Sequence, residues 1–459
     1  MRFSVLTLGC DKNTVDSERY RAELLAHGGK PASLEEAEVI VVNTCGFIDA
    51  AKRESIEAIV DAARYRKQGH LRVLAAVGCM VQRYEDDLRE SLPEVDLFLG
   101  ASQMERLVPE LVERGVLDQR VIGHPGDRVY DGDLAHVRYL KVSEGCDHGC
   151  AFCAIPLMRG RHRSFALGDV VREAQLLELQ GAREINLVAQ DLAHYGRDIR
   201  DGNGLAELLG ALLRETDIPW YRLLYIYSAG LTPRLLETIA NEPRIVRYLD
   251  IPMQHASDNV LARMRRPERR ARQREKIHQI RESIPGVAIR TTVIVGFPGE
   301  TDSDVQELCD FLEEVRLERV GVFTFSRQEG TRAYELADDV PEDIKRERQE
   351  RVLQLQRVIT AERYERLIDQ PQRAIIDRPR GVHQRTQARL EIQADDIDGV
   401  TWLDDAHGIA PGTLVEVIPH TVDDFDFEGT IARVTQPATG SRRQRVLPLA
   451  EGTIGSFGR

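Results

Sequence analysis

Long apolar runs are missing: no stretch of about 18 apolar residues, the minimum for a membrane-spanning helix, occurs in the sequence. The start, Met1-Arg2-Phe3-Ser4-Val5-Leu6, runs into Cys10 with neither the apolar segment nor the cleavage site of a secretory leader. A cytoplasmic protein with no membrane partner is expected. Positive charge is also short, with 62 Lys and Arg against 75 Asp and Glu, a net charge of −13. The chain as a whole therefore lacks the field that gives non-specific affinity for phosphate backbones, and only a local basic patch would hold nucleic acid. Cysteine is sparse, at seven residues. In a reducing compartment such cysteines serve as metal ligands or catalytic groups rather than disulfides, and their positions decide which.

What is present is enough for several cores. At 459 residues the chain predicts two to four domains of ordinary size. Apolar runs at residues 4–8, 39–42, 73–77 and 95–99 alternate with helical patterns at 16–27 and 50–67, the signature of an open parallel α/β sheet. Residues 123–136, rich in Gly, Pro and Asp, read as a linker. Six further runs, at 137–142, 184–188, 221–226, 247–251, 288–295 and 320–325, are each spaced for an intervening helix. They predict a partial or complete (β/α) barrel with chemistry at the strand C-termini. Pro341 opens a long charged helix to about residue 368, with Ile344, Val352, Leu355 and Ile359 as its apolar stripe. Short β-like runs between 371 and 439 predict a small OB-like β-barrel, and residues 440–459, with Arg442, Arg443 and Arg445, a flexible basic tail.

The cysteines fall into two sets. Cys146-Asp-His-Gly-Cys150-Ala-Phe-Cys153 puts three thiols in one loop, just after the first run of the six-unit array. Three ligands leave an iron–sulfur cluster one short, and so leave an open position for a substrate. A structural zinc site is the competing reading, but no second Cys pair or suitably spaced His follows. Cys10, Cys45 and Cys79 lie far apart, yet each directly follows an apolar run: Leu6-Thr7-Leu8-Gly9-Cys10, Val41-Val42-Asn43-Thr44-Cys45 and Ala75-Ala76-Val77-Gly78-Cys79. Strand C-termini of a parallel sheet line one edge, so the three sulfurs should meet there, each before a helix whose N-terminus favours thiolate. Three buried apolar cysteines is the alternative. Cys309, between Leu308 and Phe311 on an amphipathic pattern, is expected to be a core residue.

The Cys146 loop resembles the hallmark of the radical S-adenosylmethionine superfamily. That resemblance implies a 4Fe-4S cluster whose free iron chelates S-adenosylmethionine, and reductive cleavage to a hydrogen-abstracting 5′-deoxyadenosyl radical. Thr292-Val293-Ile294-Val295-Gly296-Phe297-Pro298-Gly299-Glu300 resembles the superfamily's strand and turn that pack on the adenine, which implies cofactor contacts at Gly296 and Glu300.

Two three-cysteine sites followed by a β-rich tail resemble the methylthiotransferases over nearly the whole chain. The implied domains are a methylthiotransferase N-terminal domain (1–120), a radical S-adenosylmethionine domain (132–368) and a TRAM domain (370–439). Two 4Fe-4S clusters are implied, on Cys146, Cys150 and Cys153 and on Cys10, Cys45 and Cys79, with S-adenosylmethionine as both radical source and methyl donor. An electron donor such as flavodoxin or ferredoxin and a sulfur source are implied partners. Gly9-Cys10-Asp11-Lys12-Asn13, Asn43-Thr44-Cys45-Gly46-Phe47-Ile48-Asp49, Ala189-Gln190-Asp191, Asp250-Ile251-Pro252-Met253-Gln254-His255-Ala256-Ser257 and Gly321-Val322-Phe323-Thr324-Phe325-Ser326 resemble the protein-modifying RimO branch, although Asp11 and Thr14 stand where that branch commonly has Pro and Leu. The branch implies addition of a methylthio group to the β-carbon of an aspartate in ribosomal protein uS12. The alternative is the branch that modifies a tRNA adenosine next to the anticodon.

Charge agrees with the first. Acidic residues outnumber arginines between 371 and 440, which suits a basic ribosomal protein better than tRNA. Arg159, Arg161 and Arg163, after the cluster loop, are candidates to face a carboxylate of cofactor or substrate, or simply solvent. His255 and Gln254 lie just past a strand end, where functional residues gather, although a hydrogen-bonded structural His is the commoner outcome.

Overall fold

The computed structural model describes residues 1–438 apart from 120, 122–127, 131, 133, 200–201, 382–384, 405 and 407. The basic tail expected at 440–459 and half of the linker expected at 123–136 lie outside the described residues. No helix among the described residues is long and apolar enough to cross a membrane.

The first region runs β1 (Arg2–Thr7), α1 (Asp11–Ala26), β2 (Lys30–Pro31), β3 (Val39–Thr44), α2 (Asp49–Arg64), β4 (Val73–Gly78), α3 (Cys79–Ser91), β5 (Leu97–Gly100) and α4 (Leu107–Glu113). Its sheet is parallel throughout, in the order β2-β1-β3-β4-β5. β3 and β4 are apolar at nearly every position because both faces are covered. Val39, Val41, Val73 and Ala75 pack towards Tyr20 and Leu24 of α1. Ile40, Val42, Leu74 and Ala76 pack the other way, towards Ile59 and Ala62 of α2. The strand order turns at β1 and β3, so a crevice opens beyond their C-termini, where Cys10 and Cys45 sit.

The second region begins with β6 (Val137–Lys141), then β7 (Ser143–Glu144), α5 (Ile155–Arg159), β8 (Arg163–Ser164), α6 (Leu167–Leu179), β9 (Glu184–Val188), α7 (Leu205–Glu215), β10 (Trp220–Leu223) and α8 (Pro233–Asn241). It continues with β11 (Ile245–Asp250), α9 (Asp258–Arg263), α10 (Arg270–Ser283), β12 (Ala288–Val295), α11 (Asp302–Val315), β13 (Arg319–Thr324) and α12 (Glu342–Glu365). The expected six strands form one parallel sheet in sequential order from β6 to β13. No pairing joins β6 to β13 among the described residues, so the barrel is partial. Pro341 caps α12, which buries Val352 and Ile359. Cys309 is buried in the core, as expected.

The third region is a closed barrel of β14 (Gln372–Arg378), β15 (Thr386–Leu390), β16 (Thr401–Leu403), β17 (Leu414–Asp423) and β18 (Asp426–Gln436). It covers the N-terminal ends of the central strands. Ile375, Ala394 and Leu414 pack on Trp220 and Val246. Arg389 reaches Glu184 at 2.6 Å, and Asp398 accepts from Tyr248 at 2.5 Å and Arg319 at 3.1 Å. Part of the acidic surplus of this barrel is therefore internal, while Asp396, Asp404, Asp423 and Asp424 are exposed. Asp377 and Asp398 are buried, Asp377 on Arg389 and His136, while Glu391, Glu428 and Glu416 pair with Arg373, Arg385 and Arg433. Of these, Asp377 and Asp398 join the β-barrel to the (β/α) barrel, while the other three pair within the β-barrel itself.

Candidate active site

Cys10 precedes α1, Cys45 follows β3, and Cys79 opens α3, so the ends of three parallel strands bring their sulfurs to one edge. The backbones are tied closely. Asn13 donates through Nδ2 to Leu8 O at 2.7 Å and Thr44 O at 3.1 Å, and Asn43 donates to Asn13 O and the Ser17 hydroxyl, both at 3.0 Å. Ser55 Oγ accepts from Cys45 N–H at 3.0 Å. Gly9 has φ +92°, and a Cβ there would lie 2.7 Å from Cys45 Cβ and 2.9 Å from its Sγ. Cys45 and Cys79 are buried and Cys10 is exposed. Burial pushes the Cys79 thiol up to about 12, against the pull of Arg159, and raises Cys45 as well. In the protein alone desolvation thus outweighs the helix N-termini that were expected to favour thiolate. A cation among the sulfurs would reverse the balance, which is the condition metal binding meets.

The second set lies in the loop between β7 and α5, at the C-terminal end of β6. Cys146 N–H donates to Gly160 O at 3.1 Å, and Ala151 N–H to Met264 O at 2.9 Å, which clamps the loop at both ends. Burial raises the Cys146 thiol to about 11 and the Cys153 thiol to about 12. Arg266, buried with its guanidinium 4.2 Å from the Tyr227 ring centre, donates to Cys150 Sγ at 3.7 Å. His148, inside the loop, stacks on the same Tyr227 ring and bonds through Nε2 to Asp191 Oδ2 at 2.7 Å. Sequence reasoning missed Arg266, between α9 and α10, and quoted Asp191 without its tie to His148, because no spacing rule links either to the cysteine loop.

The two sets face one another across a charged seam. Arg159, its side chain 5% exposed, donates to Cys79 Sγ at 3.1 Å, to Asp16 Oδ2 at 2.6 Å and to Glu144 Oε2 at 3.3 Å. Lys141 bonds the same two carboxylates at 2.5 and 2.6 Å. The two cations hold Asp16 well below the usual carboxylate range, despite full burial. Cys79 also packs on Ala154 and Met158, from the α5 side of the seam. Of the other candidates, Arg161 and Arg163 are exposed, Arg161 beside Asp147. His255 is fully buried; its Nδ1 accepts from Ser257 N–H, and Nε2 stands 3.5 Å from Glu300 Oε2. Gly296, at φ +72°, donates N–H to Glu300 Oε1 at 2.8 Å, and Arg348 binds that oxygen at 3.1 Å. Glu300 therefore closes the turn from inside. Lys12, not singled out from sequence, is buried with Nζ 3.2 Å from the Tyr225 ring centre.

Residues 2–100 match the family described as Uncharacterized protein family UPF0004, and residues 140–312 match the Radical SAM superfamily. A partial parallel barrel with a three-cysteine loop at the C-terminal end of its first strand defines a radical S-adenosylmethionine enzyme, with one iron–sulfur cluster and S-adenosylmethionine as its cofactors. Over 424 residues, 90% of this chain and 93% of the relative, the sequence is 44% identical to the ribosomal protein uS12 methylthiotransferase RimO of Desulforudis audaxviator (strain MP104C). Identity to the protein of that name from Geobacter sulfurreducens (strain ATCC 51573 / DSM 12127 / PCA) is 40% over 444 residues, 94% and 98% of the two chains. The chain belongs to the RimO family of methylthiotransferases. Among solved structures, the radical S-adenosylmethionine methyltransferase TsrM from Kitasatospora setae is similar in fold, with a TM-score of 0.54 at 14% identity, over 70% of this chain and 72% of that one.

Proposed function

We propose that this protein adds a methylthio group to the β-carbon of an aspartate in ribosomal protein uS12. Residues 1–120 supply the sulfur site, 132–368 the radical site, and 370–439 the cap. The observation that carries the reading is the seam itself: two cysteine triads belonging to separate sheets, linked by Arg159, which touches Cys79 of one and packs beside the loop of the other. Bound to Cys146, Cys150 and Cys153, a 4Fe-4S cluster with S-adenosylmethionine would supply a hydrogen-abstracting radical, and a second 4Fe-4S cluster on Cys10, Cys45 and Cys79 the sulfur. The donor sets suit such groups, since each offers three converging thiols and a cationic guanidinium at one sulfur.

The chain's own residues then have distinct tasks. Arg266 and Arg159 each place positive charge on a sulfur that must be thiolate, at Cys150 and Cys79. Asp191 fixes the ring of His148 and so the shape of the loop. The Gly296 turn, locked by Glu300 and Arg348, would bear on the adenine of S-adenosylmethionine. Methyl transfer would draw on a second S-adenosylmethionine, and the electron would come from a flavodoxin- or ferredoxin-like donor.

Replacing Cys146, Cys150 and Cys153 together by Ala should abolish both 5′-deoxyadenosine and product. Replacing Cys10, Cys45 and Cys79 should abolish methylthio transfer while reductive cleavage of S-adenosylmethionine continues. Iron should fall by roughly half in either variant. Intact-mass analysis of uS12, its loop peptide and tRNA after anaerobic reaction reads the outcome. Product on tRNA alone would reverse the substrate, and product from the N-terminal triple variant would end the two-cluster reading.

A further inference from the structure

Lysine is rarely buried unless paired, and three lysines are buried among the described residues: Lys12, Lys141 and Lys345. Lys141 holds Asp16 and Glu144, and Lys345 holds Asp338 and Glu342. Lys12 makes neither a salt bridge nor a hydrogen bond among the described residues; it has a π face. Its Nζ stands over the ring of Tyr225, 3.2 Å from the centre. That ring is held with care. Tyr225 adopts φ +60°, strained for a residue with a side chain, its hydroxyl donates to Asp11 Oδ2 at 3.1 Å, and its N–H donates to Asp250 Oδ2 at 3.2 Å. The two nearby carboxylates are thus engaged elsewhere, Asp250 also by Arg290 at 2.8 Å. Three ammonium donors are left for a guest.

The position says which guest. Lys12 lies two residues past Cys10 in the first turn of α1, and Tyr225 and Asp250 stand at the C-terminal ends of β10 and β11. The ammonium is therefore between the N-terminal cysteine triad and the barrel mouth, on the path that sulfur must cross. We propose that Lys12 receives the carboxylate of the target side chain, selecting aspartate and fixing its β-carbon, one bond from that carboxylate, between the two sites. A buried ammonium over an aromatic face gains most from an anion and little from a neutral amide of the same shape. The inference rests on the uS12 aspartate reading above and adds to it the group that recognises the acid.

The test uses reconstituted full-length enzyme and two fluorescent uS12 loop peptides, one with the target aspartate and one with asparagine there. Binding is followed by anisotropy under anaerobic conditions. Wild type should favour the aspartate peptide by about tenfold or more, the effect of one charge-assisted hydrogen bond. Lys12→Met should bring the ratio close to one, mainly by weakening the aspartate peptide, and Lys12→Arg should restore most of it. An unchanged ratio in Lys12→Met overturns the proposal. Should Lys12→Met lose iron, the wild-type ratio alone decides, and equal affinity for the two peptides overturns it. Methylthio product on the aspartate peptide with no discrimination sinks the Lys12 role alone, whereas product on tRNA and none on either peptide sinks the functional reading beneath it.

Discussion

At Gly9 a methyl group has no room, because the residue is at φ +92° and the Cβ position is already occupied by Cys45. Gly9→Ala would have to move either the backbone or the Cys45 side chain, against a left-handed penalty of about 1–2 kcal/mol before any clash. We expect iron content to fall by roughly half and methylthio transfer to stop, while 5′-deoxyadenosine still forms; full iron with normal transfer would show that the Cys45 sulfur can shift freely. The cysteines themselves were legible in the sequence, since position at the end of an apolar run is a local property. Lys12, Arg159 and Arg266 were not legible in their roles. Each takes its meaning from partners far away in sequence, Tyr225, Cys79 and Cys150, and no spacing rule connects them.

Among the elements, α1 departs most from expectation. Apolar spacing placed its start near residue 16, yet the helix begins at Asp11, directly after Cys10. Its first two turns bury Lys12, Asn13, Asp16, Ser17 and Glu18, a polar face that hydrophobic periodicity cannot reveal. The C-terminal barrel was read correctly as a fold, but the burial of Asp377 and Asp398 was not legible, because their basic partners lie on other strands. Another acid there makes a pH test. Burial, with Asp396, Asp377 and Glu184 nearby, raises Asp395 to about 7 in spite of Arg389. A carboxyl raised in the folded state stabilises most below its unfolded pKa of about 4, and that contribution is lost as pH rises through about 7. Asp395→Asn should therefore match wild type near pH 4 and exceed it at pH 8, by on the order of 2 kcal/mol allowing for solvent screening. Thermal melts of the two proteins across that range check it, and parallel curves would refute the assignment.

Over the whole molecule, the first region is joined to the central barrel by buried charge. Glu18 takes Arg128 at 2.6 Å and Arg138 at 2.9 Å, with all three side chains at most 2% exposed. Among the described residues, Glu18→Gln leaves the buried Arg138 with no carboxylate and Arg128 with Glu173 alone, at 3.0 Å, a loss of about 3–5 kcal/mol in comparable pairs. Arg19, on the half-exposed outer side of Glu173, which also binds Arg128, is the comparison within the same network and should contribute under about 1 kcal/mol. Hydrogen exchange should show faster exchange in α1 and β6 for Glu18→Gln and little change for Arg19→Gln. Reductive cleavage of S-adenosylmethionine should outlast methylthio transfer in the former. Equal protection in both variants would mean that other contacts hold the regions together.

Because Cys10, Lys12, Asp16 and Glu18 all belong to α1 or its cap, that helix works as a ruler. Each residue advances about 1.5 Å and turns about 100°, so the number of residues between the sulfur and the anchoring carboxylates sets where the sulfur stands relative to the barrel. Side chains along this segment can drift in evolution, but one inserted residue would swing Cys10 and Lys12 off the axis they share with the barrel mouth. Length, more than composition, is the inherited quantity between residues 10 and 18.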